Sequence, residues 1–520
     1  MKFEGISRDA TFFSSPLIEA YLNSDILKNH ISFFPGVEGV SEAVKEKSSF
    51  PQDRRDTLVE DLLNQYHNAK IDLDEFPLVK KNILKLKNEN TFTITTGQQI
   101  HIGLGPMYVL YKIWDTLSIV KQLNTLHKDQ YFVPMFWMAS EDHDLEEIAS
   151  ISYFKETKIW RTDQSGAVGR MHPGGIAELF QSFIDELNWN EIQLDFLTAA
   201  KLTYEKSETL SVAFRKLLHQ YTCQTGLVII DPDRKLLKKE FCSVMVDELN
   251  HKNGPQLERY TNQLESIGFR RQLKVRSCNL FLLENNNRIR IDDIKSITKK
   301  DVATFVNENY ANLSPNAALR PLYQEWILPN VCYVGGAGEL NYWLQLKGLF
   351  DNYSMAMPSF HLRTSCVLLP PKIARKSADI GFDNLFKSDK KIALLLNQNL
   401  AELDQKINTN FEKIKTSISE YGALVNSTFK GFRLDSKWGK LQSKLNEIQS
   451  LVDHQFQKKL SQTHELDSIL KIQKIYFNKE SVQERRDHIG IFSQQLKLDS
   501  KTIERNFGYQ SINKVLFIIT

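Results

Sequence analysis

Proline stops early in this chain. All 15 prolines lie between Pro16 and Pro371, and residues 372–520 contain none. A stretch that lacks the residue most disruptive to helices predicts a helical C-terminal part. Cysteine is scarce: five in 520 residues, at 223, 242, 278, 332 and 366, never closer than 19 apart. That spacing excludes a Cys-x-x-Cys zinc site, and a disulfide framework is out of place at this length. A reducing compartment fits. No run of about 18 apolar residues occurs, and Met1-Lys2-Phe3-Glu4-Gly5-Ile6 opens no apolar signal core. The expectation is a cytoplasmic protein, neither secreted nor membrane-spanning. Excess charge is missing too: 66 basic against 63 acidic residues leave a net charge of +3. That balance gives no support for nucleic acid or membrane as partner. There is no Walker A motif, internal repeat or low-complexity tract.

What is present reads as a multidomain α/β protein. A chain of 520 residues exceeds one hydrophobic core, so two or three domains are expected. Phe92–Thr96 reads as a strand, Met107–Leu126 as a helix and Tyr131–Ala139 as a buried strand. Gly226–Ile230 reads as a strand ending at Asp231-Pro232-Asp233, with helical pattern from Lys235 to Leu249. Asn279–Leu283 and Val331–Val334 read as strands, the latter followed by a helix from Leu340 to Phe350. Such alternation predicts a mostly parallel sheet with helices on both faces. Residues 155–215 interrupt it and read as an insertion in a core spanning 1–371.

Beyond the core, apolar residues recur at Leu396, Leu400, Leu403, Ile407, Phe411, Ile414, Ile418, Tyr421 and Val425, in steps of three and four. Gly431 and Asp435-Ser436 supply a stop and a new N-cap. A second seam runs through Trp438, Leu441, Leu445, Ile448 and Val452. The spacing predicts an antiparallel helical coiled coil over 372–475, with an ordinary packed helical subdomain as the alternative. Residues 476–520 end in Lys514–Ile519, which reads as a strand returning to the core.

Chemistry concentrates where strands run into polar turns, the place where open α/β sheets hold ligands. Thr95-Thr96-Gly97-Gln98-Gln99 leads through Gly105-Pro106-Met107-Tyr108 to Tyr111-Lys112. Val133–Ala139 leads into Glu141-Asp142-His143-Asp144. These carboxylates can bind Mg²⁺ or accept from a ribose or an amine, and His143 can act as a general base or metal ligand. The bland alternative is an acidic first helical turn. Gly335-Gly336-Ala337-Gly338-Glu339 can let an anion approach the backbone, although Asn341 stands where a third dinucleotide-fingerprint glycine belongs. Arg320, Gln324 and Glu325 bring a guanidinium, an amide and a carboxylate together, either to clamp an anion or as a buried structural pair. His101-Ile102-Gly103-Leu104 has the position of the His-Ile-Gly-His signature of class I aminoacyl-tRNA synthetases. Leu104 replaces the second histidine, and Lys295–Lys299 poorly matches the companion Lys-rich signature.

Together these segments resemble the BshC family, the cysteine-adding enzymes of bacillithiol biosynthesis. The motifs are Thr96-Gly97-Gln98-Gln99, Gly105-Pro106 with Tyr108 and Tyr111-Lys112, Glu141–Asp144, Arg320–Glu325 and Gly336–Trp343, with Gln483-Glu484-Arg485 late in the chain. They run in order from about residue 90. His101 stands where the family usually has glycine, and Ala337 where proline is common. The resemblance implies a Rossmann-like core related to class I synthetases with connecting-peptide insertions, a coiled-coil domain and a homodimer. It also implies the joining of cysteine to the amine of glucosaminyl-malate.

From that reaction follow the expected roles. ATP activates the cysteine carboxyl, with Mg²⁺ as a possible companion, and no cysteine cluster offers a zinc site. His143 or Asp144 takes the amine proton, beside Asp142 and Glu141. Gln98, Gln99, Tyr108, Arg320, Gln324, Glu325, Asn341 and Tyr342 hold substrate. Gly105, Gly336 and Gly338 approach an anion. Lys112, within the first helix, is read as structural. The competing readings are a non-catalytic coiled-coil scaffold and a synthetase-like RNA-binding protein.

Overall fold

The computed structural model describes residues 2–153, 156–284, 287–291, 302–396, 398–429, 435–460, 464–492 and 499–520. At its centre is a five-stranded, wholly parallel sheet. Its strands are β1 (Thr91–Gln98), β2 (Tyr131–Met138), β3 (Val228–Ile230), β4 (Asn330–Gly335) and β5 (Ser359–Leu362), in spatial order β3-β2-β1-β4-β5. That is a Rossmann-like order, and the direction of winding reverses between β1 and β4. The strands are rich in β-branched and aromatic residues and buried almost throughout, as a sheet covered on both faces requires.

Alternation along β2 sorts the core. Val133, Met135 and Trp137 join Val228, Ile230 and Tyr333 on one face. Phe136 and Met138 join Ile229 on the other, with Phe92, Ile94, Phe132 and Val334 alongside. Each such side chain stabilises the fold by roughly 1.5–3 kcal/mol when fully buried. Pro134 is tolerated inside β2 because β3 pairs only with Met135–Trp137, one residue further on.

Helix α1 (Met107–Leu126) follows β1 and is buried around most of its girth. Its Asp115 accepts from Thr364 N (2.6 Å), Thr364 Oγ1 (2.7 Å) and Gly508 N (2.8 Å), tying α1 to the chain after β5 and to the C-terminal segment. Burial raises the Asp115 carboxyl to about 6 against these bonds.

Two smaller sheets flank the core. Lys514–Ile519 pairs antiparallel with Lys2–Ser7 and parallel with Ser365–Leu369. Leu280–Glu284 pairs antiparallel with Asn287–Arg290 and Leu313–Pro315. The strand read from sequence at Asn279–Leu283 therefore belongs to an antiparallel sheet, not to the parallel one. The segment between β2 and β3 holds a hairpin, Ser150–Tyr153 with Glu156–Ile159, and helices Ile176–Glu186, Glu191–Glu205 and Leu210–Thr222.

Among the described residues, the region without proline is helical from its start to Tyr476 and ends in the strand Lys514–Ile519. Its longest elements are α4 (Gln398–Thr428) and α5 (Asp435–Leu460). Tyr421 packs edge-on against Trp438, and Asn408 meets Gln449, so the two helices run antiparallel. Ile414, Tyr421 and Ile448 of the two seams stay 49%, 61% and 52% exposed, because two helices alone cannot cover such a stripe. Gly431 and Lys295–Lys299 lie outside the described residues.

Candidate functional site

A cleft of about 690 Å³ opens at the C-terminal ends of β1, β2 and β4. It lies at the reversal of strand order, where such sheets bind ligands. Three sequence-distant pieces wall it in: the antiparallel sheet around Phe281 and Arg288, helix α2 (Arg320–Ile327) with helix α3 (Ala337–Trp343), and Arg485 from the C-terminal segment.

Glu141, Asp142 and His143 line the cleft beyond the end of β2. Gln99 donates to Asp142 Oδ2 at 2.9 Å, and the His143 backbone N–H donates to Oδ1 at 2.7 Å. Burial works to raise the Asp142 carboxyl, but bonds from His143 and Gln99 and the charge of Arg288 outweigh it and hold the group well below the usual carboxylate range. Glu141 is 8% exposed and shifts the other way: burial raises it, and the nearby Lys238 ammonium only partly offsets that. Arg288 Nη1 lies 2.8 Å from His143 Nδ1, and Asp142 Oδ1 lies 3.3 Å from the same nitrogen. The guanidinium also stacks over Phe281 at 4.0 Å and donates to Pro315 O at 3.1 Å.

On the opposite wall, Lys112 Nζ donates to Gly97 O (2.9 Å) and Gln98 Oε1 (3.0 Å) and pairs with Glu339 Oε2 at 2.5 Å. Glu339 also accepts from Tyr333 OH at 2.6 Å and from Gly336 N at 2.8 Å. Burial would raise Glu339, yet Lys112 and the Gly336 N–H bring it below its ordinary value. Lys112 therefore stands at the cleft with its ammonium engaged by the chain's own Gly97, Gln98 and Glu339, as a lysine that holds the cleft's shape. The same geometry changes the reading of the glycine loop. Gly336 and Gly338 line the cleft, but the chain's own Glu339 already caps the Gly336 N–H.

Tyr108 lines the cleft as a neutral phenol, its pKa raised by burial, and accepts from Gln98 Nε2 at 2.9 Å. Three cations surround its ring: Arg363 at 5.2 Å, Arg485 at 5.9 Å and Lys112 at 5.9 Å. Arg363 is held two-pronged by Glu484, at 3.0 and 2.5 Å. Arg320 Nη2 donates to Tyr342 OH at 3.0 Å, and both residues line the cleft.

The other expected residues lie outside. Asp144 caps the short helix Leu145–Ile148 by accepting from Glu147 N. Gln324 accepts from Arg320 Nη1 at 3.2 Å behind the cleft wall. Glu325 is fully buried and pairs with Lys47 at 3.0 Å and Asn330 at 2.7 Å rather than with Arg320, whose own partners are Gln324 and Tyr342. Asn341 bonds Gln272 beside the cleft. Gly105 turns the chain ahead of α1 at φ +84°, with no place in the cleft lining. His101 is buried and is not part of the cleft lining, and burial and the nearby His488 lower it to about 3.

Arg288, Arg363, Glu339 and Arg485 were not singled out as site residues from sequence. Arg485 stood in the late Gln483-Glu484-Arg485 motif and Glu339 at the end of the glycine loop; Arg288 and Arg363 stood in no motif. With them, seven cationic side chains line the cleft against four carboxylates among the described residues. The lining thus fits a polyanion such as a nucleotide triphosphate. Among the described residues no three His, Cys, Asp or Glu side chains come together in a way that could hold a metal ion. No described helix is long and apolar enough to cross a membrane.

Comparison with known proteins gives one family. A family model for the N-terminal Rossmann-like domain of the bacillithiol biosynthesis protein BshC matches residues 1–364. Proteins named "Putative cysteine ligase BshC" match over nearly the whole chain. That of Flavobacterium psychrophilum is 32% identical over 94% of this chain and 94% of its own. That of Cytophaga hutchinsonii is 31% identical over 98% and 97%. That of Flavobacterium johnsoniae is 32% identical over 95% of each.

Proposed function

The chain belongs to the bacillithiol biosynthesis BshC family, and from that premise we propose that it is an ATP-dependent ligase joining L-cysteine to the amine of glucosaminyl-malate, the last step of bacillithiol synthesis. The observation that carries this reading is the cleft at the reversal of strand order, where cations and carboxylates face one space. An amide ligase needs both: cations for phosphates and substrate carboxylates, and carboxylates or an imidazole for ammonium groups and the proton they give up.

ATP converts the cysteine carboxylate into an adenylate or an acyl phosphate, releasing pyrophosphate or ADP. The sugar amine attacks the carbonyl carbon, the amide bond forms, and AMP or phosphate leaves. Of the two residues read as the base, His143 is the one in the cleft. Its Nδ1 lone pair receives the amine proton once Arg288 turns from it toward a substrate anion. Asp142, 3.3 Å from Nδ1, then stabilises the imidazolium. Arg320 and Arg485 face the two carboxylates of the malate group. Gln98, Gln99, Tyr108 and Tyr342 orient the substrate. The reading keeps small-molecule substrates, a homodimer and a cytoplasmic setting; exposed apolar residues on α4 and α5 support a second copy as partner.

The test is incubation of the purified protein with cysteine, glucosaminyl-malate and ATP, followed by mass spectrometry for the amide, with ATP omitted and with His143→Ala alongside. ATP-dependent product absent from the mutant supports the reading. A folded wild-type protein that makes no product points instead to the scaffold reading.

A further inference from the structure

Lys238 stands on the helix Lys235–Glu240 that follows β3, with no exposed surface. Its Nζ lies 2.7 Å from Glu141 Oε1 and 2.7 Å from Asp233 Oδ1, and donates to Ala311 O at 3.2 Å. Asp233 takes Arg170 from its other side through Nε (2.6 Å) and Nη2 (2.8 Å). A row of alternating charges therefore runs from Glu141 in the cleft wall through Lys238 and Asp233 to Arg170, whose side chain is 44% exposed.

Such a row is costly to bury, and apolar residues would fill the same volume more cheaply if packing were its purpose. Its cleft-facing end is a carboxylate. Among the described residues Lys238 is the one cation in ion-pair contact with Glu141. The other charged or titratable groups facing it are Arg288 from the antiparallel sheet, Asp233 from the loop after β3, Arg170 from the segment between β2 and β3, and the Tyr323 phenol from α2. Burial raises Glu141 and Lys238 opposes that rise. Without Lys238, Glu141 would face Asp233 across a dry gap and take up a proton.

We propose that Lys238 is a positioning residue that holds Glu141 ionised and aimed into the cleft as the receptor for a substrate's primary ammonium group. The proposal rests on the ligase reading, in which both the amino acid and the aminosugar bring such a group.

The experiment follows kcat/KM and KM for each substrate from pH 5.5 to 8.5 in wild type, Lys238→Met and Lys238→Arg. Lys238→Met is expected to move the acid limb up by about one pH unit and to raise one KM about tenfold, with most of the loss recovered by Lys238→Arg. A rise in KM for cysteine assigns its ammonium to Glu141; a rise for the aminosugar assigns the sugar amine. A folded Lys238→Met protein with both KM values and the acid limb unchanged overturns the proposal. Asp233→Asn serves where Lys238→Met fails to fold. It removes the competing negative charge, so the Glu141 carboxyl titrates lower in the ¹³C spectrum, and an unchanged midpoint overturns the proposal. Should the wild type make no amide, the ligase reading fails separately. The ¹³C titration of the Glu141 carboxyl, assigned with Glu141→Gln, then decides: an upward shift in Lys238→Met is expected, and an unchanged midpoint overturns the positioning role.

Discussion

Lys112 and Glu339 meet across the point where the sheet reverses its winding. Their charged atoms are 2.5 Å apart, with the lysine side chain 2% and the glutamate side chain 22% exposed. One stands on the helix after β1, the other on the helix after β4. The pair therefore sets the width of the cleft floor, while the Gly97 and Gly336 backbones bond to it from either side.

Removing one partner of such a pair strands the other charge. Lys112→Met is expected to destabilise the protein by about 3 kcal/mol, the low end for buried pairs because Glu339 is partly wet. Lys112→Met/Glu339→Leu should regain more than half of that loss without regaining activity. Urea denaturation of the two singles and the double gives the coupling directly, and strictly additive losses would show that the pair does not couple.

Gly105 illustrates a residue whose type was legible and whose role was not. A Cβ there would lie 2.8 Å from His101 Cβ, and the backbone is held at φ +84°. Gly105→Ala should cost about 1–3 kcal/mol from strain and crowding. In a His101→Gly background the crowding disappears and the φ cost stays, so the penalty should shrink without vanishing. Thermal melts of the four proteins check this; an equal penalty in both backgrounds would remove His101 from the explanation.

Two buried histidines should make stability fall as acid is added, from about pH 6.5 downward. His361 in β5 and His219 in the helix Leu210–Thr222 are buried, with neither ring nitrogen bonded. Burial, with Arg8 and Arg215 respectively, lowers them to about 3 and about 4. Their folded values lie below the unfolded one, so the unfolded chain binds the extra protons. The stability they leave intact is complete above about pH 6.5 and is lost as pH falls toward 4. For His361 the loss by pH 4 is about 3 kcal/mol. His361→Leu should flatten the pH dependence of the denaturation midpoint between pH 6.5 and 4, and an unchanged slope would exclude His361 as a source.

Four of the five parallel strands could be read from sequence because each is a short apolar run that ends in a polar turn, a local signal; β5, Ser359–Leu362, was not read. The same signal exposed Gln98, Gln99, Tyr108, Glu141, Asp142 and His143. Arg288 and Lys238 carry no such mark. They are basic residues in unremarkable surroundings, drawn to the cleft by pairings with Asp142, His143 and Glu141 that lie about 100–145 positions away. Glu325 shows the converse: its motif is recognisable, but the chain spends it on Lys47 and Asn330 in the interior. A motif marks which residues stand near a site; the tertiary partners decide which of them face it.

Arg485 offers the cleanest separation of binding from folding. It lines the cleft from a segment beyond residue 364, where the match to the Rossmann-like family model ends. The side chain is exposed, and none of the ion pairs among the described residues involves it. Its neighbour Arg363 is buried and locked to Glu484. Arg485→Gln should therefore leave the melting temperature within about 1 °C of wild type. Losing a charge-assisted bond to a substrate anion should raise KM for one substrate about 10- to 100-fold, equivalent to about 1.4–2.8 kcal/mol. A change in KM for glucosaminyl-malate would place the malate carboxylates at Arg485, and a change for ATP would place phosphate there. Arg363→Gln should instead lower the melting temperature, because it leaves Glu484 buried without its counter-charge. Kinetics and melts on the two variants distinguish these outcomes, and an Arg485→Gln protein with every KM unchanged would remove that residue from the site.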